Sequence, residues 1–197
     1  MGQAARNYYL ALGVDQIRLH SQTKFMENSQ ERLVRYLQDA HAAEVGVAKM
    51  LEDSIEDTED VAIKALFAEH LTMTHTHQEQ IAQCLANYDE KPNGGKSLIS
   101  AMMSKVSDLI QGAHDQPDKN TQYLIKAFAA ENLERGIYES LIAYAQAIGK
   151  EDVAQVARNI QQQEQQTAER IWPMISQYAV TALEKVSDRP VAGATTA

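Results

Sequence analysis

The 197-residue chain has a single cysteine, Cys84, so no internal disulfide can form, and one lone thiol suits a reducing cytoplasm. No apolar run approaches the ~20 residues of a transmembrane helix, so no membrane span is expected. Basic residues are scarce: 18 Lys and Arg stand against 27 Asp and Glu, a net charge of −9. That balance excludes the basic surface that nucleic acids and anionic membranes require. The opening residues MGQAARNYYLALGVDQIRLH lack a basic stretch followed by an apolar core, so no secretory leader is expected. There is no Gly-rich phosphate loop, no Ser-His-Asp order and no basic stripe. Nine glycines and four prolines leave few turns, which disfavours a sheet protein.

What is abundant is Ala, Gln, Glu and Leu, the residues of long helices. The length fits one domain with tails and is sufficient to bury a core without a staple. Four long helical patterns stand out. The first runs from about Ser29, a possible cap, to Ile55, and the second from about Glu59 to Tyr88. The segment Asp89–Lys96, DEKPNGGK, is the clearest break. A shorter helix is expected over Ser97–Gln111, then a loop containing Pro117. The third long helix runs from about Asn120 to Ile148 and stops at Gly149; the fourth starts near Glu151 and is expected to kink at Pro173. Residues 1–28 read as an N-terminal extension, 29–185 as the helical body and 186–197 as a flexible tail. Two hairpins joined by a connection long enough to cross the bundle predict an all-α, ferritin-like four-helix bundle with a short crossover helix.

Each long helix carries an apolar stripe at 4-3-4-3 spacing. The stripes read Leu33-Leu37-Ala40-Glu44-Val47-Leu51, Val61-Ala65-Ala68-Thr72-His75-Glu79-Ala82, Leu124-Phe128-Glu131-Glu134-Tyr138-Leu141, and Val153-Ala157-Ile160-Glu164-Thr167-Ile171. Every stripe is broken near its middle by a carboxylate or an imidazole. Counted from the turns, Glu44 lies near the height of Thr72 and His75, and Glu134 level with Glu164. Burying several carboxylates together costs several kcal/mol each unless a cation joins them. Glu44, His75, Glu131, Glu134 and Glu164 are therefore the candidate metal ligands, and oxygen donors with an imidazole suit Fe or Mn, as one ion or two.

Other residues read more plainly. His41 sits at the stripe's edge as a rim residue or outer partner. His70 and His77 are expected to face solvent. Glu69 and Glu79 flank the second seam, Tyr138 packs in the core or bonds a ligand, and Cys84, Met102, Met103 and Trp172 are packing residues.

The motifs LQDAHAAE (37–44), FAEHLTMTHTHQEQI (67–81), NYDEKPNGGKS (87–97), AAENLERGIYESL (129–141) and QQQEQQTAERI (161–171) together resemble the YciE/YciF family of bacterial ferritin-like stress proteins. The resemblance implies a ferritin fold, a stress-related role and a metal-type carboxylate layer able to react with dioxygen or peroxide. It places Glu44, His75, Glu131, Glu134 and Glu164 in that layer. Ferritin-like sites take Glu-x-x-His from the second helix; here Thr72 precedes His75, so a bridging Glu is missing. Thr167 and Ala168 stand where a partner of Glu164 would be. The rival expectation is a metal-free, non-enzymatic interaction protein, with its buried glutamates protonated or paired with Arg135 or His41. Whether the chain is an enzyme stays open at this level. A homodimer is expected, because the extension and crossover carry more apolar residues than one bundle needs.

Overall fold

The structure, a computed structural model, describes residues 3–93 and 115–186, with side chains for 28–93 and 115–184. These residues form four helices: α1 (Gln3–Asp57), α2 (Val61–Ala86), α3 (Gln116–Ala147) and α4 (Glu151–Val186). Among the described residues there is no strand, and no helix is long and apolar enough to cross a membrane. The crossover helix expected over 97–111 and the tail beyond 186 lie outside the described residues.

Local chemistry sets the ends of the helices. Asp60, in extended conformation, accepts from the amides of Ala62 and Ile63 and starts α2. Asp115 accepts from the Asp118 amide, and Pro117 occupies the first turn of α3, where its missing N–H is harmless. Gly149, at φ +73, supplies the left-handed residue that ends α3. Ser29 does not cap α1. It is buried inside one 55-residue helix, because no proline or glycine pair between Gln3 and Ser29 interrupts a helix-forming sequence. Pro173 sits inside α4 without ending it.

Contacts at the two ends give the topology. At one end α3 begins beside the α1–α2 turn: Thr58 donates to Asn120 Oδ1 at 2.7 Å, and Gln116 to the Asp57 carbonyl at 3.1 Å. The far end of α4 returns there, with Tyr178 donating to Asp60 at 2.8 Å. At the other end Lys150 lies 5.7 Å over the Tyr88 ring, and Tyr144 packs on Tyr36. α2 therefore ends and α3 begins at opposite ends of the bundle. The helices run up-down-down-up as two antiparallel hairpins, the ferritin-like arrangement expected from the sequence. α1 packs on α2 and α3, α4 packs closely on α3, and α2 meets α4 more sparsely.

The core is divided. One apolar cluster holds Leu33, Leu37, Leu85, Leu141 and Ile160; the other holds Leu51, Ile63, Phe67, Leu124 and Ile171. Each helix passes from one cluster to the other through buried polar residues. Those residues are Glu44 on α1, His70, Thr74 and His77 on α2, Glu131 and Glu134 on α3, and Glu164 and Thr167 on α4.

Candidate metal centre

The polar layer is completely enclosed. Glu44, Glu131, Glu134, Glu164 and His77 have no exposed surface, and His70 has 1%. The apolar clusters above and below align the helices, so buried polar side chains from all four meet at mid-height. The register of α1 against α2 explains which residues of α2 take part. Glu44 lies thirteen residues before the end of α1, and the inward residue thirteen into α2 is Thr74. His70 and His77 flank Thr74 by about one turn each way, so they bracket the layer.

This corrects the expectation for α2. His75 is exposed and takes no part in the cluster, and so are Thr72 and Glu79. The stripe Val61-Ala65-Ala68-Thr72-His75-Glu79 is the outer face, with Val61 81% exposed. The inner face is Ile63-Leu66-Phe67-His70-Thr74-His77-Ile81-Cys84-Leu85. A shift of two residues turns a helix by about 200°, so choosing between the stripes reverses the whole face. Bulk decides it, because Ile63, Phe67, Ile81 and Leu85 remove far more apolar area from water than three alanines. His70 and His77, expected in solvent, are at the centre. In place of the Glu-x-x-His pair expected there, α2 brings two imidazoles seven residues apart into the buried layer.

The other named residues fall outside. His41 is half-buried, and burial lowers its pKa, but it belongs to neither ligand group. Glu69 makes a bidentate pair with Arg170 at 2.8 Å on the surface. Arg135 bonds Asn132 at 2.9 Å in an exposed position and neutralises no buried carboxylate. Tyr138 is buried and its hydroxyl donates to Glu44 Oε1.

The donors form two groups that share one residue. Glu44, His77 and Glu164 offer ligand atoms within 4.8 Å of one another, and so do His70, Glu131 and Glu164. His77 Nδ1 lies 2.8 Å from Glu164 Oε1 and 3.4 Å from Glu44 Oε2. His70 Nε2 lies 3.3 Å from Glu131 Oε1 and 3.6 Å from Glu164 Oε2. Glu164 thus turns one oxygen to each group. Two donors each about 2.1 Å from an ion stand at most about 4.2 Å apart, so these separations fit ligands around a common cation, and the 2.8 Å contact fits a hydrogen bond equally well.

The hydrogen-bond inventory fits the same group. Both oxygens of Glu134 and Nδ1 of His70 are buried with no hydrogen-bond partner among the described residues, while Glu44 Oε2, Glu131, Glu164, His77 Nδ1 and His70 Nε2 face only one another. Buried polar atoms are nearly always paired, because an unpaired one costs roughly 1–3 kcal/mol. A buried group of carboxylates and imidazoles that face mainly one another is a donor set suited to bound ions. Four carboxylates and two imidazoles are also the complement that a dinuclear carboxylate bundle uses.

Without an ion, protons must compensate. Burial, reinforced by the neighbouring carboxylates, holds Glu131 and Glu134 well above the usual carboxylate range. Burial also raises Glu44, against the opposing pull of His77. Burial would likewise raise Glu164, but hydrogen bonds from Glu131, His70 and His77 keep it ionised, below its ordinary value. Burial would lower His77, yet Glu164 and Glu44 lift it to about 10. Burial and the adjacent Glu44 push the Tyr138 phenol well up, so it stays a donor.

A family model described as a domain of unknown function, DUF892, matches residues 28–184. No curated protein sequence matches the chain significantly. Among solved structures, the stress protein YciF of E. coli superposes with a TM-score of 0.68 at 18% identity, covering 77% of this chain and 96% of that one. A protein from Xanthomonas campestris gives a TM-score of 0.65 at 26% identity, covering 81% of this chain and 98% of that one. A ferritin-like diiron-carboxylate protein from Bacillus anthracis gives 0.60 at 13% identity, covering 75% of this chain and 97% of that one. At such identities the likeness to YciF and to the diiron-carboxylate protein establishes the fold they share.

Proposed function

The chain belongs to the DUF892 family, and from that premise and its buried donor layer we propose that it is a ferritin-like protein binding two iron or manganese ions in a redox site. The observation that carries this is the sharing of Glu164 between two ligand groups, each completed by its own Glu and His. Two such ions supply redox chemistry toward dioxygen or hydrogen peroxide. The chain's part is to hold them. Glu44 and His77 would hold one ion and Glu131 and His70 the other, with Glu164 offering an oxygen to each group. Glu134, fully buried with both oxygens unpaired, is a second carboxylate able to span or to move between modes. The two apolar clusters keep bulk water out, which strengthens every charge interaction inside. Carboxylate and imidazole donors suit Fe and Mn, and among the described residues Cys84 is the only thiol and lies outside both groups. The likeness to a stress protein and to a diiron-carboxylate protein supports the same reading.

The test is loading. Metal-free protein titrated anaerobically with ferrous iron should take up two ions per chain by elemental analysis, and the loaded protein should then consume dioxygen or peroxide. Failure to retain stoichiometric iron or manganese would sink the redox reading and leave the inert-scaffold alternative. The proposal includes a cytoplasmic homodimer. A single buried thiol suits a reducing compartment, and the small, weakly charged outer face of α2 suits self-association. A solution mass of one chain would overturn the dimer.

A further inference from the structure

The two histidines of the layer are held differently. His77 Nε2 lies 2.7 Å from Gln163 Oε1. A carboxamide oxygen only accepts, so Nε2 carries the hydrogen and donates it. That assigns Nδ1 as the nitrogen offered to Glu164 and Glu44. His70 offers the opposite nitrogen. Its Nε2 faces Glu131 and Glu164, while its Nδ1 is buried with no hydrogen-bond partner among the described residues. Gln163 is the residue before Glu164 on α4 and lies at the surface. One helix therefore supplies both a ligand oxygen and, across the α2–α4 seam, the group that steers the facing imidazole. Glu44 is steered as well, by Tyr138, whereas Glu131 meets only His70 and Glu164 within the layer.

We propose that Gln163 is a positioning residue that makes the two halves of the layer unequal, so that the Glu44–His77–Glu164 group fills first and tightly and the His70–Glu131–Glu164 group fills second and more weakly. This rests on the two-ion reading above. An imidazole whose far nitrogen is already bonded has its tautomer and ring plane set before the ion arrives, and it is the more basic donor. An imidazole with a bare far nitrogen must settle both on binding, and its buried N–H goes uncompensated.

Titrating the metal-free full chain with Zn²⁺ alone, in competition with a chromophoric chelator, tests this without redox chemistry. Wild type should bind in two resolved steps. Gln163→Leu should weaken the first step by roughly 10–100-fold and leave the second within about twofold, the usual scale for losing an outer partner of a metal-bound histidine. Gln163→Glu, which restores an acceptor, should recover or tighten the first step. In the Zn²⁺-loaded protein the slowly exchanging His77 Nε2 proton should be visible by NMR in wild type and Gln163→Glu, and should exchange rapidly in Gln163→Leu. Two equal steps in wild type overturn the inference, as does a Leu variant that shifts both steps alike or a Glu variant that fails to recover the first. Wild type that binds no Zn²⁺ overturns the two-ion reading and this inference together, whereas two unequal steps indifferent to Gln163 overturn the inference alone.

Discussion

Glu164→Ala should empty the centre of both ions, whereas His70→Ala and His77→Ala should each remove one. The expectation follows from the layout of the donors. Glu164 Oε1 stands 2.8 Å from His77 Nδ1 and Glu164 Oε2 stands 3.6 Å from His70 Nε2, so one carboxylate belongs to both groups. Each histidine belongs to only one. Removing a ligand that two ions share leaves each with two donors of its triad, too few to compete with water. Removing one histidine leaves the other triad intact. His75→Ala is the control: its side chain is exposed on the outer face of α2, and two ions should remain. Elemental analysis of the four proteins after iron loading, with helicity checked by circular dichroism, decides the matter. Two ions retained by Glu164→Ala would show that the carboxylate spans nothing, and one ion lost from His75→Ala would restore the outer face as a ligand surface. The variants should fold, because the two apolar clusters that align the helices lie outside the layer.

Much of the buried polar layer was legible in the sequence, and the part that was not has a physical reason. Glu44, Glu131, Glu134 and Glu164 each interrupt a stripe of bulky residues, Leu33 to Leu51 on α1, Leu124 to Leu141 on α3 and Ile160 to Ile171 on α4. A charge between leucines on a core face is conspicuous, because no charged residue besides these glutamates lies on that face. α2 differs. It is apolar enough on both sides to offer two candidate stripes, one of alanines with His75 and one of Ile63, Phe67 and Ile81 with His70 and His77. Spacing alone cannot separate faces about 200° apart; weighting each position by the area it can bury does. The signal that would have found both imidazoles was a pair seven residues apart in line with Phe67, Ile81 and Cys84. The helix order and the long connection were readable from Gly149, Pro117 and the DEKPNGGK break. The start of α1 was not, because Ser29 has the chemistry of a cap but its neighbours on both sides favour helix.

The metal-free protein should lose stability as pH rises from about 5.5 to 8.5, and the loaded protein should not. Glu131, Glu134 and Glu44 have folded-state pKa values raised above the unfolded value, with burial the leading cause. The folded chain then keeps protons that the unfolded chain has released, so stability falls with increasing pH through this window. His77 acts in the same direction: lifted to about 10 by Glu164 and Glu44, it contributes fully below its unfolded value near 6.5 and progressively less above it. Glu164 is depressed, so its contribution is complete above about 4.5 and fades only at lower pH, outside the window. Each proton retained only by the folded state costs about 1.4 kcal/mol per pH unit, or roughly 3–6 °C in Tm for a chain of this length. Bound ions reverse the sign. They displace the same protons, so their affinity, and with it the stabilisation they confer, grows as pH rises. The gap between loaded and metal-free Tm should widen steadily across the window in parallel thermal scans. Replacing both Glu131 and Glu134 with Gln fixes those positions as neutral, so the metal-free slope should flatten and stability at pH 8 should rise even as metal uptake is lost. A metal-free Tm that is level or climbing over this range would mean that the carboxylates are not buried together as the structure places them.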